Sequence, residues 1–344
     1  MDLYFLEYRD PLFGIIIFFV LLFAITLVSY LHNTYKKNED SKHLDSFLDQ
    51  FKTSSTQIDS LMGSGGFSQQ FWLVLADAFN KNGDYAKAVE IYSELIKTSQ
   101  SSKEIMFLLG KTLFMAGFIQ RSKKIFLELL KKSPRNTQAL SYLMLVYEQS
   151  KDFNSALEIL TPLSELKSDI SSEEMYLKTH IILNEPSLNK EQKIEKLLEL
   201  YRKTRKLNYD IFEYLFRVAP NVAWEHLDVS RAMSIVDILW RVEAKDLNFD
   251  IISQSSFLTE LYSAKKYIDE AKSSAIFEFN LLINSNEKAN ATLGFEYICS
   301  NCSHKQPFSF ARCPSCHSLE GMVIDMLVVK DYSRGLFEES NSFL

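Results

Sequence analysis

Four cysteines, the only ones in this 344-residue chain, lie in the stretch CSNCSHKQPFSFARCPSC, residues 299–316. Cys299 and Cys302 form one Cys-x2-Cys pair, Cys313 and Cys316 form a second, and ten residues separate the pairs. Two such pairs can present four thiolates to one tetrahedral ion at about 2.3 Å. The spacing therefore predicts one structural metal ion, Zn in preference to Fe, in a closed shell that leaves no position for a catalytic water.

Other chemistry for these thiols fits less well. Disulfides suit oxidising compartments, and a thioredoxin-type redox pair needs a CxxC beside a βαβ unit, which the surrounding sequence does not resemble. His304 and His317 stand next to the pairs, but four thiolates already complete the shell. We expect these histidines to lie outside the first coordination sphere or to be exposed.

Composition limits the function classes. The net charge is −6, and glycine (10) and proline (7) are scarce, while 47% of the residues are hydrophobic. This favours a mostly α-helical protein and supplies no electrostatic footprint for nucleic acid. The sequence shows no Ser/His/Asp arrangement and no phosphate-binding glycine loop, so we expect a protein that is not an enzyme.

A period of 34 residues organises the middle of the chain. Gly83–Tyr85, Gly117–Ile119 and Lys151–Phe153 follow one another at this spacing, which is the length of a tetratricopeptide repeat, a helical hairpin that stacks on its neighbours. Three repeats are predicted over residues 67–168, and degenerate helical repeats over 169–290. Small residues that allow close helix contact recur in the same register: Ala88, Ser122 and Ala156.

Repeat proteins of this kind carry function on the concave surface formed by the first helix of each hairpin. Helical spacing predicts a partner-binding groove there, with an apolar strip and a charged rim. Coverage of this strip by another part of the chain is the alternative. The predicted groove residues are Leu73, Asp77, Phe107, Lys111, Phe114, Met115 and Leu145.

The N-terminal segment has the pattern of a membrane anchor. Residues 12–31 contain no charged side chain, and twenty helical residues span about 30 Å, the thickness of the bilayer core. An uncleaved transmembrane helix is predicted within residues 1–35, followed by a juxtamembrane linker over 36–66. Arg9 precedes the span, whereas Lys36 and Lys37 follow it, which places the long C-terminal part in the cytoplasm.

An N-terminal anchor, a tetratricopeptide array and a C-terminal four-cysteine domain together resemble the lipopolysaccharide assembly protein B family. The family pattern Tyr-x-Cys-x-x-Cys-Gly followed by Cys-Pro-x-Cys is matched at Tyr297, Pro314 and the four cysteines. Ser303 departs from it, because the family has glycine there. Ala311 also departs, because the family has an aromatic residue two positions before the third cysteine. The resemblance implies a rubredoxin-like zinc ribbon over residues 295–320, and residues 321–344 are then a C-terminal tail without a counterpart.

This resemblance also implies a function. Family members sit in the inner membrane of Gram-negative bacteria as adaptors that promote proteolysis of the lipid A pathway deacetylase by a membrane AAA protease. For this chain it implies a single-pass inner-membrane protein with a cytoplasmic C-terminal domain, and the protease and deacetylase as partners. Homo-oligomerisation stays open. The alternative is a membrane-tethered repeat scaffold that serves a different envelope or membrane-complex assembly.

Overall fold

A computed structural model describes residues 67–98, 103–166, 169–204, 208–285 and 290–331. The predicted anchor (1–35) and linker (36–66) lie outside the described residues. Within the ranges described, no helix combines the length and the apolar character needed to cross a bilayer. The chain divides into two compact units, Met1–Pro134 and Arg135–Leu344.

The described part of the first unit consists of two helical hairpins. Trp72 and Tyr92 lie in its buried core. The helices are α1 (Gln69–Lys81), α2 (Tyr85–Thr98), α3 (Lys103–Met115) and α4 (Ile119–Lys132).

The hairpin turns repeat with the period of the sequence. Gly83 and Gly117 both have φ +80°, a left-handed conformation that glycine adopts without steric cost. The residue after each of these glycines reaches back: the Asp84 amide donates to the Phe79 carbonyl at 2.9 Å, and the Phe118 amide to the Leu113 carbonyl at 2.8 Å. The predicted tetratricopeptide spacing is thus confirmed as a recurring turn geometry.

Close packing inside the second hairpin depends on Gly110. Its carbonyl accepts a hydrogen bond of 2.8 Å from the hydroxyl of Ser122, which is fully buried. A Cβ at position 110 would lie 2.8 Å from Cε1 of the buried Phe126 ring. Small residues at 110 and 122 therefore set the distance between α3 and α4, and the repeat pattern predicted the one at 122.

The second unit begins with a third hairpin, α5 (Thr137–Gln149) and α6 (Phe153–Ser164). Side-chain caps start both helices: Asn136 accepts from the Ala139 amide at 2.9 Å and Asp152 from the Ser155 amide at 3.2 Å. Further helices follow over the region predicted as degenerate repeats, and those after residue 207 are shorter than the helices of the three hairpins. They are α7 (Ser171–Asn184), α8 (Lys190–Thr204), α9 (Asn208–Val218), α10 (Pro220–His226), α11 (Val236–Arg241), α12 (Phe249–Ile252), α13 (Ser256–Ala264) and α14 (Phe277–Asn284), with 3-10 segments at Val229–Ile235 and Ala244–Asp246.

A large core joins the helices after α7. Trp224 is almost fully buried, its ring stands edge-on to Phe216 with centroids 5.1 Å apart, and its indole N–H donates to the Asp246 carbonyl at 2.8 Å. Leu293 and Met326, which belong to the C-terminal sheet, also lie in this core. The sheet is therefore packed onto the helices of the same unit.

Three antiparallel strands form the sheet: β1 (Ala291–Cys299), β2 (Lys305–Gln306) and β3 (Met322–Lys330), in the order β2-β1-β3. β1 and β3 pair along their whole length, from Ala291 opposite Lys330 to Cys299 opposite Met322. The prediction of a C-terminal tail over 321–344 is wrong for residues 322–330, because they form β3. Pairing with a strand more than twenty positions away in the sequence creates this element, and a local pattern does not show it.

Candidate metal centre

The four cysteine sulfurs converge at the end of β1. All four Sγ atoms lie within 4.8 Å of one another, and two of the pairs, Cys299 with Cys316 and Cys302 with Cys313, are 3.6 Å apart. A tetrahedral ion with Zn–S bonds of about 2.3 Å places its sulfurs about 3.8 Å apart. The donor set and the spacing thus fit one metal ion held by four thiolates, whereas these sulfurs are too distant for disulfides. Zinc rather than iron stays a prediction.

The two Cys-x2-Cys pairs are built alike. The Ser303 amide donates to the Cys299 carbonyl at 2.8 Å, and the His317 amide donates to the Cys313 carbonyl at 2.9 Å. Ser303 and His317 occupy equivalent positions and share a left-handed backbone, with φ 58° and 60°. Ser303 therefore adopts the conformation for which the family pattern has glycine.

Hydrogen-bond donors surround the sulfur of Cys316. The Ser318 hydroxyl lies 3.1 Å from it and the Asn301 amide nitrogen 3.4 Å. Hydrogen bonds from the Ser318 side chain, the Asn301 side chain and the Ser318 backbone lower the pKa of Cys316 to about 5. Donors of this kind stabilise a thiolate, which is the form that binds metal.

Arg312, immediately before the second cysteine pair, connects this site to the third hairpin. Its Nε donates to both carboxylate oxygens of Glu148 on α5 at 2.9 Å, and its Nη1 donates to the His317 carbonyl at 2.9 Å. Only 10% of the Arg312 side chain and 12% of the Glu148 side chain are exposed. The arginine thus holds both ends of the Cys313–Cys316 segment against the repeat helix. No role was predicted for this residue from the sequence, and its position next to Cys313 was the one available signal.

Aromatic side chains of α7 complete the contact. The Arg312 guanidinium lies over the Tyr176 ring, 5.3 Å from its centroid. The His180 ring stacks on Phe153 at 5.1 Å and stands edge-on to Tyr176 at 4.4 Å. Burial and, to a smaller extent, the Arg312 charge lower the pKa of His180 to about 4, so that the ring is neutral at pH 7.

A buried carboxylate fixes β1 to the helices. Asp237 is 1% exposed, and its Oδ2 accepts from the hydroxyls of Tyr209 at 2.6 Å and Tyr297 at 2.7 Å and from Nη2 of Arg241 at 3.1 Å. Tyr297 lies two residues before Cys299, so this network sets the position of the strand that carries the first cysteine pair. Burial, followed by the hydrogen bond to Asp237, raises the pKa of Tyr297 to about 12.

The two neighbouring histidines lie outside the group of sulfurs. The His317 ring stands edge-on to Tyr142 on α5, with centroids 6.1 Å apart, and His304 is exposed. Among the described residues the candidate ligand group contains only the four cysteines.

The predicted groove residues differ in exposure. Phe114 and Leu145 are buried, at 9% and 7% exposed, while Met115 is 39% exposed. Asp77 is exposed and pairs with Lys81 at 2.7 Å. The others, Leu73, Phe107 and Lys111, are half-buried. Their role in partner binding stays a prediction.

Comparison with known proteins supports the repeat assignment. A tetratricopeptide repeat family matches residues 70–112. Lipopolysaccharide assembly protein B of Escherichia coli strain K12 is 23% identical over 141 residues, which cover 40% of this chain and 33% of that protein. The Haemophilus influenzae protein of the same name is 22% identical over 139 residues, 39% of this chain and 34% of the relative. The chain thus matches about a third of the length of these curated relatives.

A solved structure is also similar. MamA of Desulfovibrio magneticus RS-1, from residue 41 to its end, is 19% identical with a TM-score of 0.38, covering 48% of this chain and 93% of that one. At that score the likeness carries no further argument. The chain is mostly helical, matches a tetratricopeptide repeat over residues 70–112 and carries a C-terminal four-cysteine cluster that can hold a metal ion. It is similar over part of its length to lipopolysaccharide assembly protein B. At the level of the family, the tetratricopeptide repeat match favours an interaction scaffold over an enzyme.

Proposed function

We propose that this protein is a membrane-tethered adaptor that regulates lipopolysaccharide synthesis. One observation carries the proposal: the four-cysteine segment is joined to the third helical hairpin through the buried pair of Arg312 and Glu148. The partial similarity to lipopolysaccharide assembly protein B supports a scaffold of this kind.

In this proposal the repeats hold partner proteins and the metal site holds the ribbon in shape. The adaptor brings the lipid A pathway deacetylase to a membrane AAA protease and so promotes its proteolysis. The N-terminal segment anchors the chain in the bacterial inner membrane, with the C-terminal part in the cytoplasm. Zinc bound by Cys299, Cys302, Cys313 and Cys316 supplies folding energy, because such small domains depend on their metal.

Depletion of the protein in its own host tests the proposal. The amounts of the deacetylase and of total lipopolysaccharide are followed by immunoblot and gel staining, and both should rise. Expression of the wild-type chain should restore them, whereas Cys313→Ser should not, because three thiolates leave the tetrahedral shell incomplete. Ser303→Gly is the matched control, since it changes the same ribbon and keeps all four ligands.

Unchanged deacetylase after depletion would contradict the proteolytic role and direct the search to another envelope or membrane-complex client. Metal analysis of the purified protein tests the cofactor separately. We expect about one zinc per wild-type chain, from one four-thiolate site, and a large loss in Cys313→Ser. Equal metal content in the two proteins would show that these cysteines do not form the site.

A further inference from the structure

A cavity lies next to the metal centre in the second unit. Its volume is about 230 Å³, and it opens between α5, α6, the start of α7 and the second cysteine pair. Pockets for drug-sized ligands measure about 300–1,000 Å³. This cavity is smaller, and its size suits one large side chain and not a whole cofactor.

One side of the cavity is apolar. Met144 and Leu145 line it from α5, and Leu160 and Leu163 from α6. All four side chains are buried in the fold, so the walls are held in place by the packing of the hairpin. This apolar side of the cavity favours contact with an apolar side chain from another molecule.

Other parts of the cavity lining carry negative charge. Glu173 lines it, and within the described part of the chain its carboxylate forms no ion pair. Cys316 lines it as well, and four thiolates with one divalent ion carry a formal charge of about −2. The positive charge of Arg312, also in the lining, is already neutralised by Glu148 at 2.9 Å.

We propose that this cavity binds one large apolar side chain of a partner protein, next to a lysine or arginine of the same segment. The apolar side chain fills the cavity, and the neighbouring cation faces Glu173 and the metal centre. Charge complementarity of this kind selects partners and fixes their register. The proposal deepens the proposed adaptor function, because it assigns a contact for client segments to the junction of repeat and ribbon.

A displayed library of random heptapeptides provides the probe. The library is selected on the zinc-loaded full-length protein in detergent, and we expect enrichment of Leu, Ile, Met or Phe adjacent to Lys or Arg. Affinities of the synthesised peptides are then measured by fluorescence anisotropy. Enrichment of acidic peptides, or no enriched pattern, would overturn the proposal. The second result is also expected if another segment of this chain fills the cavity.

Charge variants decide whether the peptides use this cavity. Glu173→Lys should weaken binding about tenfold through the reversed charge, and Glu173→Gln should weaken it less. Glu158→Lys is the matched control, because Glu158 is exposed on α6 and is absent from the cavity lining. Circular dichroism checks the fold of each variant. Equal affinity in wild type and both Glu173 variants would overturn the assignment.

The outcomes separate this inference from the adaptor role. Peptide binding that depends on Glu173 would support the docking site. If deacetylase levels do not change when the protein is depleted, the proposed client is contradicted while the docking site stands. A rise in the amount of deacetylase on depletion would support the proposed client. If peptide affinity is then the same in wild type and the Glu173 variants, this docking site is contradicted.

Discussion

The pair formed by Arg312 and Glu148 provides the sharpest test of how the ribbon is held. Arg312→Ala removes the guanidinium that contacts Glu148 on α5 and the His317 carbonyl after the second cysteine pair. The glutamate would then keep its charge in a site where only 12% of its side chain is exposed. An uncompensated buried charge is the main physical cost of this variant.

The size of the effect follows from that burial. Removing one partner of a buried ion pair costs about 3–5 kcal/mol. We expect Arg312→Ala to lower the free energy of unfolding of the second unit by about 3 kcal/mol, the lower end of that range. If the proposed zinc ion leaves through local opening of the four-cysteine segment, its release should accelerate roughly 100-fold, since about 1.4 kcal/mol corresponds to a factor of ten.

Urea unfolding followed by tryptophan fluorescence measures the first quantity. The buried Trp224 reports on the second unit, and a Trp72→Phe background removes the signal of the first unit. Release of zinc to a coloured chelator measures the second quantity. Arg135→Ala is the matched control, because Arg135 is exposed in the same unit, and its effect should stay within about 0.5 kcal/mol.

A double variant separates charge from packing. Arg312→Met combined with Glu148→Met should recover most of the stability, because apolar side chains of similar volume replace buried ion pairs at little cost. The reasoning is refuted if Arg312→Ala costs less than about 1 kcal/mol, the value of an exposed pair, or if zinc release keeps the wild-type rate.

Three further variants test local features. Gly110→Ala should destabilise the first unit in urea by about 1–3 kcal/mol, since its methyl would meet the Phe126 ring. The double variant Gly110→Ala with Phe126→Leu should recover part of this loss. An unchanged stability of Gly110→Ala would refute the close contact. Ser303→Gly should stabilise the ribbon by about 1 kcal/mol in urea, because glycine relieves its positive φ, and a loss of stability would contradict this. The pKa of His180 is about 4 in the folded protein and about 6.5 when unfolded, so its contribution to stability is present above pH 6.5 and is lost as the pH falls towards 4. His180→Phe, which keeps the stack on Phe153, should flatten the free energy of unfolding between these pH values, and an unchanged slope would show that another group titrates there.

Local features of the chain could be predicted from the sequence. The repeat spacing appears in the structure as equal turns, since Gly83 and Gly117 have the same left-handed backbone. The spacing of the cysteines predicted that their sulfurs converge, because one short connecting segment is enough to bring the two Cys-x2-Cys pairs together. Small residues such as Ser122 were predicted at helix contacts for the same reason: their spacing is set within one hairpin.

Contacts between segments distant in the sequence could not be predicted from it. Arg312 and Glu148 are 164 positions apart, and no periodicity links them. The strand β3 forms because it pairs with β1. Asp237 accepts hydrogen bonds from the hydroxyls of Tyr209 and Tyr297, which lie on separate elements. These interactions form only when the helices pack and place the strands.

The sequence by itself thus determined the hairpins and the group of four sulfurs, because each depends on short-range geometry, helical periodicity and turn conformation. Only the tertiary structure decided that the four-cysteine segment is fixed to the third hairpin, that Leu145 is largely buried and lines a cavity, and that Glu173 lines the same cavity. The physical reason is that burial and charge pairing depend on which surfaces meet, and a linear pattern of residue types does not contain that information.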